Sequence, residues 1–228
     1  MQFSDFVDCL STVPKDVEIV FAGMAEPWLN ASCTNMILHA FEQGYSVGVY
    51  TTGAGMKPSD VEYIKGLPFS FFALHLPDAH GRMKMIITDQ YLKVLSELIK
   101  MPHSCMVIGE LHPEVEKITG PVKDNSDGLL SRAGLIKTLA IPRKTGKLYC
   151  SACGPKIDHN ILLPNGDVLL CCMDYSQKHI IGNLLTGAYE DIFKSDEYKR
   201  VLRGLEQEGE EIICRHCEIS KPYTDRMV

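Results

Sequence analysis

The sequence predicts an α/β protein in which strands alternate with helices, followed by a smaller cysteine-rich domain built from a β-hairpin and a helix. Three observations carry this reading. Short apolar runs of strand length alternate with amphipathic helical stripes through the first two-thirds of the chain. That rhythm fades after about residue 119, where Gly, Pro, Asp, Lys and Ser cluster from Gly120 to Gly128. Beyond it, two C-x-x-C pairs, Cys150/Cys153 and Cys214/Cys217, bracket a hairpin signal. Alternation with short loops implies parallel strands with helices outside them, in a sheet or a barrel. The domain boundary is placed near residue 140, giving domains of residues 1–140 and 141–228.

The elements follow in order. Phe3, Phe6, Val7 and Leu10 recur at helical spacing, so the chain opens on an amphipathic helix. Val17 to Ala22 is a short buried-strand run. Cys33, Met36, Ile37, Ala40 and Phe41 form a helical stripe, with Ser32 as N-cap and Gly44 as stop. Val47 to Tyr50 is the next strand, and Ser59-Asp-Val-Glu62 reads as a capping box opening a short helix that Gly66 ends. Ser70 to Leu76 is a strand, Leu92, Leu95, Leu98 and Ile99 mark a helix, and Cys105 to Ile108 a further strand. In the second domain, Ile161 to Leu163 and Val168 to Cys172 flank the turn Pro164-Asn-Gly166, where Asn-Gly supplies the positive φ of a tight hairpin. A helical stretch runs from about Ala188 to Leu205, and Cys214-Arg-His-Cys217 closes the ordered part.

Composition narrows the function. The 228 residues are 45% hydrophobic and 23% charged, the balance of a globular protein and not of a disordered or fibrous one. A net charge of −6 gives no global basic field for nucleic acid or an anionic membrane. The start MQFSDFVDCL lacks the basic region and apolar core of a signal peptide, and no apolar run is long enough to span a bilayer. A cytoplasmic setting is therefore expected, where thiols stay reduced. Nine cysteines in that setting read as metal or cluster ligands before disulfides.

Their spacing suits such a centre. Cys153 precedes Gly166 by twelve intervening residues, and Gly166 precedes Cys171 by four. A hairpin presents Cys171 near the loop that holds Cys153, and a C-x-x-C turn aims Cys214 and Cys217 at one point. Four converging thiolates accommodate either tetrahedral zinc or a 4Fe–4S cluster, and spacing does not choose between them. A zinc-ribbon-like site on Cys150, Cys153, Cys214 and Cys217 is the structural alternative.

Two stretches resemble one family. Cys150-Ser-Ala-Cys153, Leu163 to Asp174, Ile181-Gly-Asn-Leu184, Asp191 to Ser195 and Cys214-Arg-His-Cys217 closely resemble the SPASM/twitch extension of radical S-adenosylmethionine enzymes. Upstream, Val20-Phe-Ala-Gly-Met-Ala-Glu-Pro27 resembles the family's GGEP segment, Thr51-Thr-Gly53 its segment after the third barrel strand, and Ser131-Arg-Ala-Gly134 a stretch before the extension. The resemblance implies a partial (βα) barrel lacking its first βα unit, followed by a small hairpin-plus-helix SPASM/twitch domain.

It also implies roles. Glu26 would accept a hydrogen bond from the methionyl amine of S-adenosylmethionine, assisted by the backbone of Gly23, Met24 and Ala25, with Thr51, Thr52 and His75 at strand ends facing the same cavity. Cys153, Cys171, Cys214 and Cys217 would hold one auxiliary 4Fe–4S cluster, with Cys150 and Cys172 as substitutes and zinc as the alternative metal. The implied partners are a peptide or small-molecule substrate and an electron donor such as a flavodoxin or ferredoxin. The family's C-x-x-x-C-x-x-C motif, whose three thiolates hold the S-adenosylmethionine-cleaving cluster, is absent from the sequence. The chain thus reads as a piece of such an enzyme or as a remnant kept for another role, and no residue is assigned as catalytic.

Other residues have plainer readings. Cys9, Cys33 and Cys105 lie on apolar stripes or strands and read as small core hydrophobes. His80 reads as solvated, His216 as solvated or touching the cluster, and Asp174 as orienting its loop.

Overall fold

The first helix, α1 (Phe3–Leu10), buries Phe6, Cys9 and Leu10. The computed structural model describes residues 1–123, 130–154 and 156–223. Contacts divide it into two units, one of residues 14–123 and one that joins Phe3–Val13 to the described residues from 130 onward. The first helix therefore belongs with the cysteine-rich unit, where Cys9 is fully buried among Leu148, Ile181 and Tyr198. This departs from the expected division at residue 140. The apolar face of α1 fits the core of the second unit, and Thr12 accepts the N–H of Tyr189 at 3.1 Å. Part of the Gly120–Gly128 cluster lies outside the described residues.

The unit of residues 14–123 is built on a parallel sheet. β1 (Ile19–Phe21) is followed by α2 (Cys33–Glu42), β2 (Val47–Thr51), α3 (Pro58–Ile64), β3 (Phe71–His75), α4 (Asp89–Leu98), β4 (Ser104–Met106) and α5 (Pro113–Thr119). The strands lie in the order β1-β2-β3-β4, every neighbour parallel. The registers Val20↔Gly48, Tyr50↔Ala73 and Ala73↔Ser104 put all four carboxyl ends on one edge. Ile37, Val49, Ile64, Leu74, Leu95 and Leu98 are buried in one core, each contributing about 1.5–3 kcal/mol.

Local chemistry sets the helix ends. Gly44 stops α2 in the left-handed region at φ 81, with Tyr45 N–H closing on Ala40 O. Ser32 does not cap that helix with its side chain. Its own N–H is held by Asn30 Oδ1 at 2.9 Å. The expected Ser59–Glu62 box is displaced by two residues, because Pro58 takes the first helical position and Asp60 reaches back to the Lys57 N–H at 2.8 Å. The helix α5, unmarked by apolar periodicity, starts at Pro113 with His112 Nδ1 accepting the Glu114 N–H at 3.2 Å.

In the cysteine-rich unit, β5 (Leu148–Cys150) pairs antiparallel with β9 (Ser220–Pro222). β6 (Ile161–Leu162), β7 (Asp167–Leu169) and β8 (Ile180–Asn183) form a three-stranded antiparallel sheet, which extends the expected hairpin by one strand. Gly166 makes the turn at φ 85. The single helix expected from Ala188 to Leu205 is two, α6 (Tyr189–Ile192) and α7 (Asp196–Glu206), because Ser195 caps the second by accepting the Tyr198 N–H at 3.1 Å. A 3-10 turn, Ile213–His216, leads to β9. No helix among the described residues is long and apolar enough to cross a membrane.

Candidate metal centre and strand-end carboxylate site

At the carboxyl edge of the parallel sheet, Glu26 meets the end of β2. Thr51 Oγ1 donates to Glu26 Oε1 at 2.5 Å, and the Trp28 N–H reaches the same oxygen at 3.3 Å. Oε2 accepts both the N–H and the hydroxyl of Thr52, each at 2.7 Å. A carboxylate offers about four lone-pair positions, and four donors of this chain fill them. The two threonines are oriented in turn, since Gly53 N–H bonds Thr51 Oγ1 at 2.8 Å and Ala54 N–H bonds Thr52 Oγ1 at 3.1 Å. Glu26 is thus a clasp between the β1 loop and the β2 loop, and the N-cap of the turn Pro27–Leu29.

The other expected residues of this site lie nearby in the fold. Gly23, Met24 and Ala25 form the loop after β1, with Gly23 and Ala25 exposed, and His75 ends β3 half-buried. Beside the β2 loop a cavity of about 110 Å³ is lined by Gly53, Ala54, Met56, Met85, Thr88 and Tyr91. Tyr91 was not visible as a site residue in the sequence, where it is one apolar position of a helix. Its hydroxyl is buried with no hydrogen-bond partner among the described residues. Burial pushes its phenol well above the ordinary range, and the charges of Glu26 and Cys105 add to the effect.

The cysteine-rich unit brings its thiols into one core. Cys153, Cys171, Cys214 and Cys217 are all buried there, and half-buried Cys150 packs against them. Cys172, next in sequence to Cys171, is exposed. All nine cysteines are free thiols. The Cys153 thiol bonds Cys150 Sγ, which also accepts the Cys153 N–H at 3.2 Å, and together these bonds lower the Cys150 pKa. The Cys153 thiol is pushed up correspondingly, by that bond and by burial. Burial raises Cys171 to about 12 and also raises Cys214 and Cys217. Cys171, Cys214 and Cys217 are each raised further by the charge of Cys150, so these groups lie within mutual electrostatic reach. Among the described residues no three His, Cys, Asp or Glu side chains close on a single point as a preformed site for one ion.

This donor set fits a thiolate-bound centre. Buried thiols resist ionisation without a cation, and a metal reverses that preference by ligating the thiolate. Cys150 enters the cluster beside Cys153, so five thiols are gathered where the spacing argument used four.

Side chains that the sequence did not mark hold the Cys214–Cys217 knuckle. Arg215 is fully buried, and its guanidinium donates to Lys144 O at 3.0 Å, Gly146 O at 3.1 Å, and Gly204 O and Gln207 O at 2.7 Å each. Lys144 Nζ donates to Cys217 O at 2.6 Å and to the carbonyl of Ser220. His179 is fully buried, accepts the Ile213 N–H on Nε2 at 3.1 Å, and bonds Glu197 through Nδ1 at 2.5 Å. An isolated Arg, Lys or His carries no spacing signal, which is why these three were not read. Asp174 behaves as expected. It is fully buried and pins its loop by accepting the N–H groups of Lys178 at 2.9 Å and His179 at 2.7 Å.

The Ser131–Gly134 stretch is tied to the same knuckle, for Ser131 N–H donates to Glu218 Oε1 at 2.6 Å. Cys9 and Cys33 are core residues as expected, and Cys105 packs partly buried against the sheet core. His80 is exposed opposite Glu110 at 3.5 Å, and His216 faces Glu211 at 3.3 Å.

Residues 148–218 match the family model of SPASM, an iron–sulfur cluster-binding domain. The fold is shared with the crystal structure of BtrN in complex with AdoMet and 2-DOIA, at a TM-score of 0.60 and 18% identity, over 95% of this chain and 78% of that one. An open conformation of BtrN aligns at a TM-score of 0.55 and 16% identity, over the same shares of the two chains. Streptococcus suis SuiB aligns at 0.52 and 14% identity, over 89% of this chain and 62% of that one. No curated protein matches the chain in sequence.

Proposed function

We propose that this chain is an iron–sulfur protein of the radical S-adenosylmethionine/SPASM type, in which Cys153, Cys171, Cys214 and Cys217 hold one auxiliary 4Fe–4S cluster. The observation that carries the proposal is the burial of those four thiols in one core, inside the segment that matches an iron–sulfur cluster-binding domain. Bound there, the cluster supplies one-electron chemistry, with a potential tuned by burial and by hydrogen bonds to sulfur. Cys150 is the substitute ligand beside Cys153, and exposed Cys172 is the weaker one.

The finer proposal concerns the enzyme. The sheet of residues 14–123 is taken as a partial (βα) barrel, and the protein to which it belongs as one that cleaves S-adenosylmethionine and abstracts hydrogen from a peptide or small molecule. The likeness to BtrN, solved with AdoMet and 2-DOIA, supports the small-molecule choice. The three-thiolate motif for that cleavage would come from outside these 228 residues. A flavodoxin or ferredoxin would supply the electron, and the setting would be cytoplasmic.

One observation favours a second reading, a non-catalytic electron-transfer or partner-binding protein. The Glu26 carboxylate already receives four donors of its own chain, so an incoming ammonium must compete with one of them.

Anaerobic reconstitution of the full chain with iron and sulfide tests the proposal. Stoichiometric iron and sulfide with broad visible absorption are expected. A colourless chain that retains stoichiometric zinc and takes up no iron overturns it.

A further inference from the structure

The cysteine knuckle is flanked by two cations that contact no carboxylate oxygen among the described residues. Arg215 lies between Cys214 and Cys217 in the turn Ile213–His216 and is fully buried. Its four hydrogen bonds all end on backbone carbonyls, and its Nε is buried with no partner among the described residues. Lys144 is tied to it by reciprocal bonds, since Lys144 N–H donates to Arg215 O at 2.8 Å and Arg215 Nη1 donates to Lys144 O at 3.0 Å. The Lys144 ammonium turns back onto the knuckle, on Cys217 O at 2.6 Å, the Ser220 carbonyl and Ser220 Oγ at 3.2 Å. Glu218, the carboxylate that follows Cys217, accepts the Ser131 N–H at 2.6 Å and lies within electrostatic reach of Lys144 without forming an ion pair with it.

Carbonyl dipoles satisfy hydrogen-bonding capacity but leave the net charge standing, and a buried ion without compensation is strongly unfavourable. The half-buried Lys144 ammonium brings a second positive charge to the same knuckle, where Glu218 acts on it from a distance. The arrangement becomes favourable when an anion occupies the space the knuckle addresses. A zinc ion with four thiolates carries two net negative charges, and an iron–sulfur centre on four thiolates is anionic as well. Arg215 and Lys144 supply the two opposite charges.

Resting on the reading of these cysteines as the ligands of an iron–sulfur cluster, we infer that Arg215 and Lys144 are its counter-charges and set its reduction potential. Adding an electron deepens the anion, so a nearby cation stabilises the reduced state more than the oxidised one. Removing either charge makes the cluster harder to reduce.

The test is an EPR-monitored redox titration of the anaerobically reconstituted full chain, after iron and sulfide have been quantified. Lys144→Met and Arg215→Met titrate at more negative potentials than the unsubstituted chain at equal iron content. Lys144→Arg, which keeps the charge, titrates with the unsubstituted chain. Should Arg215→Met fail to fold, the two Lys144 variants decide alone. Loading lost in Lys144→Met and retained in Lys144→Arg supports the inference, and loading lost in both overturns it. A loaded Lys144→Met that titrates with the unsubstituted chain overturns the inference and leaves the iron–sulfur reading intact. An unsubstituted chain that takes up no iron and sulfide overturns both.

Discussion

Thr52 gives Glu26 Oε2 two hydrogen bonds, one from its backbone N–H and one from its hydroxyl, each 2.7 Å long. With Thr51 and Trp28 on the other oxygen, the carboxylate joins the loops that follow β1 and β2. Glu26→Gln places an amide donor against one of these donor pairs and weakens the remaining bonds by removing the charge. The expected loss is about 1–3 kcal/mol in the ligand-free chain, read as a lower urea midpoint at unchanged slope. An unchanged midpoint would mean that the carboxylate does not hold the loops.

The parallel sheet was legible because its strands are buried runs such as Val47–Tyr50, separated by helices with apolar stripes. The Glu26 site was legible as a strand-end position, but its saturation by Thr51 and Thr52 depends on register across 26 residues, which no local pattern encodes. The pairing of β5 with β9 escaped for the same reason, since Leu148 meets Pro222. The thiols were readable as a set from spacing. The side chains that brace them were not, because Arg215 acts through four bonds to carbonyls distant in sequence and His179 through the Ile213 N–H and the Glu197 carboxylate.

Glu197 carries a pH dependence of stability. Hydrogen bonds from Arg200 hold its pKa down to about 2, burial opposes the shift, and His179 adds to it. A carboxylate whose folded pKa is depressed stabilises the fold above its unfolded pKa, about 4.3, and loses that contribution as pH falls toward 2. The shift bounds the effect at about 3 kcal/mol, and the quarter of the side chain that remains exposed reduces it. Urea unfolding from pH 6 down to pH 2 should show this decline, and Glu197→Gln should flatten it. A decline of equal size in the variant assigns it to other carboxylates.

Gly166 turns the β6–β7 hairpin at φ 85, a conformation that L side chains adopt with strain. An added Cβ would also fall 2.7 Å from Leu185 Cγ and 2.8 Å from Asn183 Oδ1. Asn183 is needed where it is, because its amide bonds Asp167 Oδ1 at 2.9 Å. Gly166→Ala should therefore cost about 2–3 kcal/mol, combining backbone strain with displaced contacts. Thermal unfolding followed by circular dichroism measures it, and a variant within about 0.5 kcal/mol of the unsubstituted chain refutes the steric argument.

Cluster loading should protect a defined set of thiols from alkylation. In the metal-free chain, Cys172 is exposed and Cys150 is half-buried with a lowered pKa, so these two should react first with a small alkylating reagent under native conditions, ahead of half-buried Cys105, whose thiol burial pushes up. Cys153, Cys171, Cys214 and Cys217 are buried and should react only as the cysteine-rich unit opens. Ligation removes the thiolates from reaction and stabilises the native state by mass action, so after reconstitution all four should resist alkylation through mild denaturant while Cys172 stays reactive. Cys150 discriminates between the ligand sets. Protection of Cys150 with exposure of Cys153 makes Cys150 the ligand, and the converse keeps Cys153. Peptide mapping of the alkylated sites reads the outcome, and buried cysteines alkylated equally with and without iron and sulfide would show that they do not ligate.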